Sequence, residues 1–193
     1  MIGLLGGTFN PPHNGHVELA NAAERRFDLD ELIVLVAVQP EHKEVQLDAD
    51  TRLRLAEAAF PDRDVELEPH GRTVDMLKAG GWRDPLFLIG ADEFCEFLTW
   101  KDPEGVITLA RLAVATRPGY PRERLERVLE QLSRPERVQF FEIEPLPISS
   151  RDLRERVARG EAIAIVGMSG LTHGPHVHWE AKLNGRVIDP LQR

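Results

Sequence analysis

Apolar and polar residues follow two different periods along this chain, and together they predict alternating strands and helices. Short apolar runs predict strands at residues 2–5, 32–38, 65–67, 85–89, 112–116 and 138–143. Apolar residues at helical spacing predict helices at residues 17–27, 53–60, 73–79, 92–98, 122–132 and 150–159. The run 32–38 is continuously apolar, as expected of a strand buried on both faces of a parallel sheet. The pattern therefore predicts an α/β fold, a parallel sheet with helices on both faces.

Polar and small residues mark the ends of several predicted elements. Asp50 is predicted to cap the second helix, Gly80-Gly81 to end the third and Gly160 to end the last. Alternating residues around Asn184 and Gly185 predict a short β-hairpin near the C-terminus.

The stretch 6–16, with the sequence Gly-Gly-Thr-Phe-Asn-Pro-Pro-His-Asn-Gly-His, joins the first predicted strand to the first predicted helix. Gly6 and Gly7 allow the backbone to turn and leave room for a ligand at the end of the strand. The following helix directs unpaired N–H groups and the positive end of its dipole toward the same space. An anion is expected to bind there.

His13 and His16 are three residues apart, so both are expected to face that space from the first helical turn. Imidazole donors beside a helix N-terminus suit a polyphosphate whose charge rises in a transition state. In the alternative interpretation, one histidine caps the helix and the other packs against it. The spacing matches neither a dinucleotide-binding glycine fingerprint nor a P-loop, because G-x-G-x-x-G and Gly-Lys-Ser/Thr are both absent from this stretch.

Two further candidate motifs follow predicted strands. After the second strand, His42 and Lys43 form a basic pair that is a candidate for binding phosphate, or else a solvated loop. After the fourth strand, Gly90 and Asp92 place a carboxylate where ribose hydroxyls could donate to it. Trp100 offers a flat face on which a pyridine ring could stack. Alternatively, Asp92 caps a helix and Trp100 belongs to the core.

The last two motifs bring arginines to the same edge of the predicted sheet. Arg117, in Arg-Pro-Gly after the fifth strand, is a candidate for binding a carboxylate or phosphate. Ser149, Ser150 and Arg154 begin the last helix and predict a second anion site facing the first. Locally, a serine N-cap followed by a surface arginine also explains these residues, but their pairing with the loop that holds His13 and His16 favours the anion site.

Composition narrows the class of protein. At 193 residues with a formal net charge of −8, the chain suits one domain with a complete core and does not favour binding to nucleic acid. Cys95 is the only cysteine, which excludes an internal disulfide and fits a reducing compartment. No apolar stretch reaches membrane-spanning length, so we expect a cytoplasmic protein that does not bind a membrane. The sequence gives no indication of the oligomeric state.

These motifs together resemble the nucleotidyltransferase superfamily, and most closely its bacterial nicotinate-mononucleotide adenylyltransferases. The resemblance rests on His13-x-Gly-His16, Gly90-x-Asp92, the Arg117 turn and Ile148-Ser-Ser, and it covers about residues 1–162. It implies a Rossmann-like nucleotidyltransferase fold and transfer of AMP from ATP, with Mg²⁺, to nicotinate mononucleotide in NAD biosynthesis. His13, His16 and Arg154 are the catalytic residues that it implies.

The resemblance also implies which residues bind each substrate. For ATP they are Gly7, Thr8, Phe9, His13, Gly15, His16, Gly90, Asp92, Ile148, Ser149, Ser150 and Arg154. For the mononucleotide they are His42, Lys43, Thr73, Trp100 and Arg117.

One departure from the family concerns the base of the acceptor. Arg72 precedes Thr73 where family members usually have an aromatic residue that encloses the nicotinate. An arginine could pair with the nicotinate carboxylate or face solvent, so the preference for nicotinate over nicotinamide stays open. Phosphopantetheine as acceptor, or a catalytically inactive nucleotide- or metal-binding fusion, are the alternatives.

The second departure is the C-terminal tail, residues 163–193. Gly174-Pro-His176-x-His178-x-Glu180 resembles the end of lysostaphin-type zinc endopeptidases. That family's upstream His-x-x-x-Asp is missing, because none of the seven histidines has an aspartate four residues on. A zinc peptidase is therefore not expected, although His176 and His178 are candidate ligands for adventitious zinc.

Overall fold

The computed structural model describes residues 1–40, 45–163, 181–183 and 186–188. Within them, parallel strands form one sheet in the order β3-β2-β1-β4-β5-β6. The strands are β1 (Ile2–Gly7), β2 (Glu31–Ala37), β3 (Asp64–Glu68), β4 (Leu86–Gly90), β5 (Arg111–Thr116) and β6 (Val138–Glu142). The predicted α/β fold with a parallel sheet is confirmed.

Helices connect successive strands. They are α1 (Asn14–Phe27), α2 (Ala49–Ala59), α3 (Thr73–Gly80), α4 (Ala91–Cys95), α5 (Pro103–Leu109), α6 (Arg122–Leu129) and α7 (Ser150–Ala158). Short 3-10 turns lie at Phe97–Thr99 and Pro135–Arg137. Among the described residues, no helix is long and apolar enough to cross a membrane.

The sheet separates two apolar layers, because successive strand residues point to opposite faces. Leu4 and Leu5, adjacent on β1, are both buried and belong to different layers. One layer packs the sheet against α3, α4, α5 and α6, and the other packs it against α1 and α2. The interior position of β2, β4 and β5 explains their long apolar runs, whereas β3, at one edge of the sheet, alternates with acidic residues.

Several predicted boundaries are wrong in detail. Asp48, and not Asp50, caps α2, since its carboxylate accepts a hydrogen bond from the Thr51 backbone N–H at 2.7 Å. The predicted helix at 92–98 stops at Cys95, where a 3-10 turn follows. Helix α5 was not predicted; its signals are an Asp102 N-cap and Pro103 at the first helical position.

The chain divides into two compact units, Met1–Arg154 and Glu155–Arg193. In the second unit, β7 (Ala181–Leu183) pairs antiparallel with β8 (Arg186–Ile188), as the sequence predicts around Asn184 and Gly185. The predicted domain boundary after residue 162 stays a prediction.

Candidate active site

The loop between β1 and α1 is shaped by a buried phenylalanine. Phe9 is 2% exposed and adopts a positive φ of 47°. A Cβ atom at Gly7 would lie 2.9 Å from the Phe9 ring, so a side chain at position 7 would displace it. This close approach is the physical reason for the glycine.

His13 and His16 lie against each other at the start of α1. Their ring centroids are 3.7 Å apart, and the backbone N–H of His13 donates to Nδ1 of His16 at 3.1 Å. The edge of His16 also meets the Phe9 ring, with centroids 5.1 Å apart. The two histidines therefore lie in contact, with His13 at the N-cap and His16 in the first turn, as the capping interpretation also requires. Their role in binding an anion stays a prediction.

Burial lowers the pKa of His13 below its ordinary value, and the nearby charge of Asp152 opposes this shift. The lowered pKa favours a neutral ring at pH 7. Nδ1 of His13 is buried, and no described residue forms a hydrogen bond with it. A buried polar atom without a hydrogen bond is costly, and this one lies against the backbone of the first helical turn at Gly15.

Gly15 lies directly beneath the ring of His13. A Cβ atom there would be 2.9 Å from Nδ1 of His13 and 3.9 Å from the side chain of Ile148. The glycine thus lets the imidazole pack on the helix backbone. It also brings Ile148, which precedes α7, beside the histidines.

The first turn of α7 forms hydrogen bonds with the backbone of the loop between β1 and α1. The Ser150 hydroxyl donates to the Pro11 carbonyl at 2.8 Å, and Nη1 of Arg154 donates to the Asn10 carbonyl at 2.5 Å. Ser149 instead caps α7, where its hydroxyl accepts from the Asp152 N–H at 3.1 Å. The local N-cap interpretation is therefore right for Ser149, but Arg154 reaches inward to the loop.

A cavity of about 620 Å³ opens at the carboxyl ends of β1, β2 and β4. Its walls include predicted residues for both substrates, namely Gly7, Thr8, Thr73, Asp92 and Trp100. Trp100 packs edge-on against Phe97 and Phe87, with ring centroids 5.3 and 6.3 Å away. Trp100 is thus both a core residue and part of the cavity wall.

Comparison with known proteins shows the family. Residues 4–156 match the cytidylyltransferase-like family. A protein of Desulfitobacterium hafniense (strain DSM 10664 / DCB-2) named "Probable nicotinate-nucleotide adenylyltransferase" is 36% identical over 183 residues, covering 84% of this chain and 86% of that protein. One of the same name from Moorella thermoacetica is 34% identical over 179 residues, covering 84% and 82%. The chain belongs to the nicotinate-nucleotide adenylyltransferase family.

A solved structure agrees with this family at the level of the fold. The Plasmodium falciparum nicotinic acid mononucleotide adenylyltransferase complexed with APC superposes with a TM-score of 0.66 at 17% identity, covering 84% of this chain and 86% of that one. Membership of the adenylyltransferase family makes this protein a nucleotidyltransferase and confirms the resemblance drawn from the motifs.

In this member of the family, the carboxylate of Asp92 already has a hydrogen-bond partner. The Tyr120 hydroxyl donates to Oδ1 of Asp92 at 2.9 Å, and Sγ of Cys95 lies 3.5 Å from the same hydroxyl. Burial, with these two neighbours, raises the pKa of Tyr120, which therefore stays a hydrogen-bond donor. Gly90 is the N-cap of α4, and Asp92 lies in its first turn.

Glu68 holds the β3–α3 loop that forms one wall of the cavity. Its buried carboxylate accepts from the backbone N–H groups of His70 and Gly71 at 2.6 and 3.0 Å, and Nδ1 of His70 lies 2.8 Å away. The sequence reasoning missed Glu68, whose only local signal is a carboxylate at a strand end before a glycine. Arg72, the N-cap of α3, lines the same cavity.

Some predicted site residues lie elsewhere or are not described. Arg117 is exposed and lines a second cavity of about 650 Å³ beside β5, β6 and α6, away from the cavity that holds Trp100. His42 and Lys43 lie outside the described residues.

The tail motif, with His176 and His178, also lies outside the described residues. The adenylyltransferase relatives give its resemblance to zinc endopeptidases no support. Within the part of the chain that the structure describes, no three His, Cys, Asp or Glu side chains cluster as metal ligands would.

Proposed function

We propose that this protein transfers the AMP group of ATP to nicotinate mononucleotide, giving deamido-NAD and pyrophosphate. An oxygen of the mononucleotide 5′-phosphate attacks the α-phosphorus of ATP, and the bond from that phosphorus to the pyrophosphate oxygen breaks. The observation that carries this proposal is that His13 and His16 stack at the end of the loop whose Gly7 and Thr8 line the cavity that holds Trp100, although the histidines themselves do not line it. The names of the relatives agree with it.

The chain needs no nucleophile of its own for this reaction, so positioning and charge stabilisation supply the catalysis. Charge that develops on the triphosphate is met by His13, His16 and the N-terminus of α1. Arg154 uses one of its N–H groups on the loop carbonyl of Asn10 and offers its remaining donors to phosphate. Ser150 holds the loop, while Ser149 begins the same helix with its hydroxyl hydrogen-bonded to Asp152, a bond that the hydroxyl would exchange for phosphate.

The remaining ATP-site residues shape the pocket or bind the nucleoside in this proposal. Gly7, Thr8, Phe9, Gly15 and Ile148 form the loop and its immediate support. Asp92, beside Gly90, accepts hydrogen bonds from the ribose, and Tyr120 already shows that this carboxylate takes a hydroxyl donor.

Mg²⁺ enters this proposal with ATP, bound mainly by phosphate oxygens. The α7 side chains that reach the loop, Ser150 and Arg154, are O–H and N–H donors. Such donors suit phosphate oxygens. The ion supplies neutralisation of phosphate charge.

For the acceptor, Trp100 gives the nicotinate ring an aromatic face and Thr73 lies at the N-terminus of α3, where the helix dipole favours a carboxylate. Arg72 is at the same helix start and adds positive charge. We assign His42, Lys43 and Arg117 to the acceptor only by the family resemblance, since Arg117 lines a different cavity.

Pyrophosphate release with ATP and Mg²⁺ tests the proposal. Nicotinate mononucleotide, nicotinamide mononucleotide and phosphopantetheine are compared as acceptors, with His16→Ala as the inactive control. We expect release with nicotinate mononucleotide that is lost in His16→Ala while the variant still melts cooperatively. Release only with another acceptor would replace the proposed substrate, and no release from a folded protein would refute the activity.

A further inference from the structure

Arg52, on α2, is a buried charged residue that the proposed mechanism does not use. It is 1% exposed, although a buried guanidinium ordinarily requires a carboxylate partner. Here its four described hydrogen-bond acceptors are all backbone carbonyls. Burial lowers the pKa of Arg52, and the charge of Asp48 opposes that shift.

The four hydrogen bonds join separate segments at the carboxyl edge of the sheet. Nη1 of Arg52 donates to the Thr8 carbonyl at 2.9 Å and to the Ala37 carbonyl at 2.6 Å. Nη2 donates to the Val38 carbonyl at 3.0 Å, and Nε donates to the Leu47 carbonyl at 3.1 Å. One side chain thus ties the loop after β1, the end of β2 and the segment before α2.

Further hydrogen bonds link the end of β2 to β3 and to the loop that follows it. The Val38 N–H donates to the Glu68 carbonyl at 2.8 Å, and the Glu68 carboxylate holds the Gly71 N–H. Thr8, Ala37, Glu68 and Gly71 all line the cavity that holds Trp100. Arg52 is therefore hydrogen-bonded to the backbone beneath two walls of the cavity.

We propose that Arg52 is a positioning residue that sets the distance between the loop binding ATP and the loops binding the acceptor. This inference rests on the proposed function, since Thr8 belongs to the ATP loop, whereas Ala37, Glu68 and Gly71 line the cavity that holds the proposed acceptor residue Trp100. An in-line transfer depends steeply on how closely the two reactants are held, whereas the binding of each reactant alone depends on its own loop.

The role requires a guanidinium. Four of its five N–H donors are used, in a planar arrangement that a lysine ammonium with three donors cannot reproduce. Arg52→Lys keeps the charge and removes this arrangement. It should therefore separate the two loops without removing either substrate site.

Steady-state kinetics of pyrophosphate release test the inference, with Arg63→Lys as the matched control. Arg63 is also largely buried and also donates several hydrogen bonds, to the Glu24 carboxylate at 2.6 and 2.9 Å and to Asn21 at 2.5 Å. For Arg52→Lys we expect kcat to fall by about tenfold to a hundredfold, with the KM of each substrate nearly unchanged. Arg63→Lys should lower the melting temperature and leave kcat unchanged.

A second variant, Arg52→Gln, tests whether a loss of kcat in Arg52→Lys arises from a folding defect. Arg52→Gln removes the buried charge and keeps an N–H donor group, so it avoids the cost of burying an ammonium that lacks enough acceptors. It should show the same loss of kcat. Equal kcat in the Arg52 and Arg63 variants, or a rise in KM alone, would overturn the inference.

If neither Arg52 variant melts cooperatively, the residue is only structural and the inference is likewise overturned. A wild type without activity would refute the proposed function and this inference together, whereas an active wild type with unaffected Arg52 variants would refute the inference alone.

Discussion

Replacing Gly15 with alanine should reduce catalysis without reducing stability. The new Cβ atom would stand 2.9 Å from Nδ1 and 3.0 Å from Cε1 of His13. Ordinary contacts begin at 3.4 Å, so the imidazole must withdraw by about 0.5 Å or rotate. The backbone itself need not move, because the clash is with the end of a side chain.

The Gly15→Ala substitution should affect stability and catalysis in opposite directions. Alanine is favoured over glycine in a helix by about 0.5–1 kcal/mol, so the variant should melt at or above the temperature of the wild type. Complete loss of a transition-state donor costs about 100- to 1,000-fold in rate. Because the ring is displaced and not removed, we expect kcat to fall by about 10- to 100-fold.

The assay is steady-state pyrophosphate release at saturating ATP and nicotinate mononucleotide, beside thermal melting. Asn14→Ala is the control, because Asn14 is exposed and lies in the same helical turn. That variant should keep its kcat. A Gly15→Ala enzyme as fast as the Asn14→Ala enzyme would refute the reasoning, since the position of the His13 ring would then be irrelevant to the reaction.

Three more predictions concern residues around the same sites. By NMR titration, His13 in the free protein should show a pKa below 6.5, so its contribution to stability is lost as the pH falls below 6.5, and an ATP analogue should raise this pKa. Tyr120→Phe removes the donor to Asp92 and should change the KM for ATP without changing the fold, which kinetics and melting check together. Trp100→Ala should raise the KM for the acceptor, whereas Trp82→Ala should not.

The glycine loop and the strands could be predicted because their signals are local. Buried parallel strands leave continuous apolar runs, and the turn from β1 to α1 needs glycines where Phe9 and His13 approach the backbone. The short spacing from His13 to His16 likewise determines their proximity. These features depend on neighbouring residues, so sequence alone shows them.

Arg52 could not be predicted because its environment is assembled from distant segments. In the sequence it is a charged residue on a helix, where solvent exposure is the normal expectation. Its acceptors at Thr8 and Ala37 are 44 and 15 residues away. The cavity that Arg117 lines could not be predicted either. A motif at the end of a strand indicates the edge of the sheet where the residue lies, but not the cavity that it lines.

The hydrogen bonds from α7 to the glycine loop have a consequence for synthesis of the chain. Ser150 and Arg154 bind carbonyls 139 and 144 residues earlier. A nascent chain emerging N-terminus first can pair β1 with β2 early, yet its loop lacks these two bonds until Arg154 has emerged. A translation product that stops before α7 would therefore contain every strand of the six-stranded sheet. Its loop between β1 and α1 would still lack the hydrogen bonds from Ser150 and Arg154.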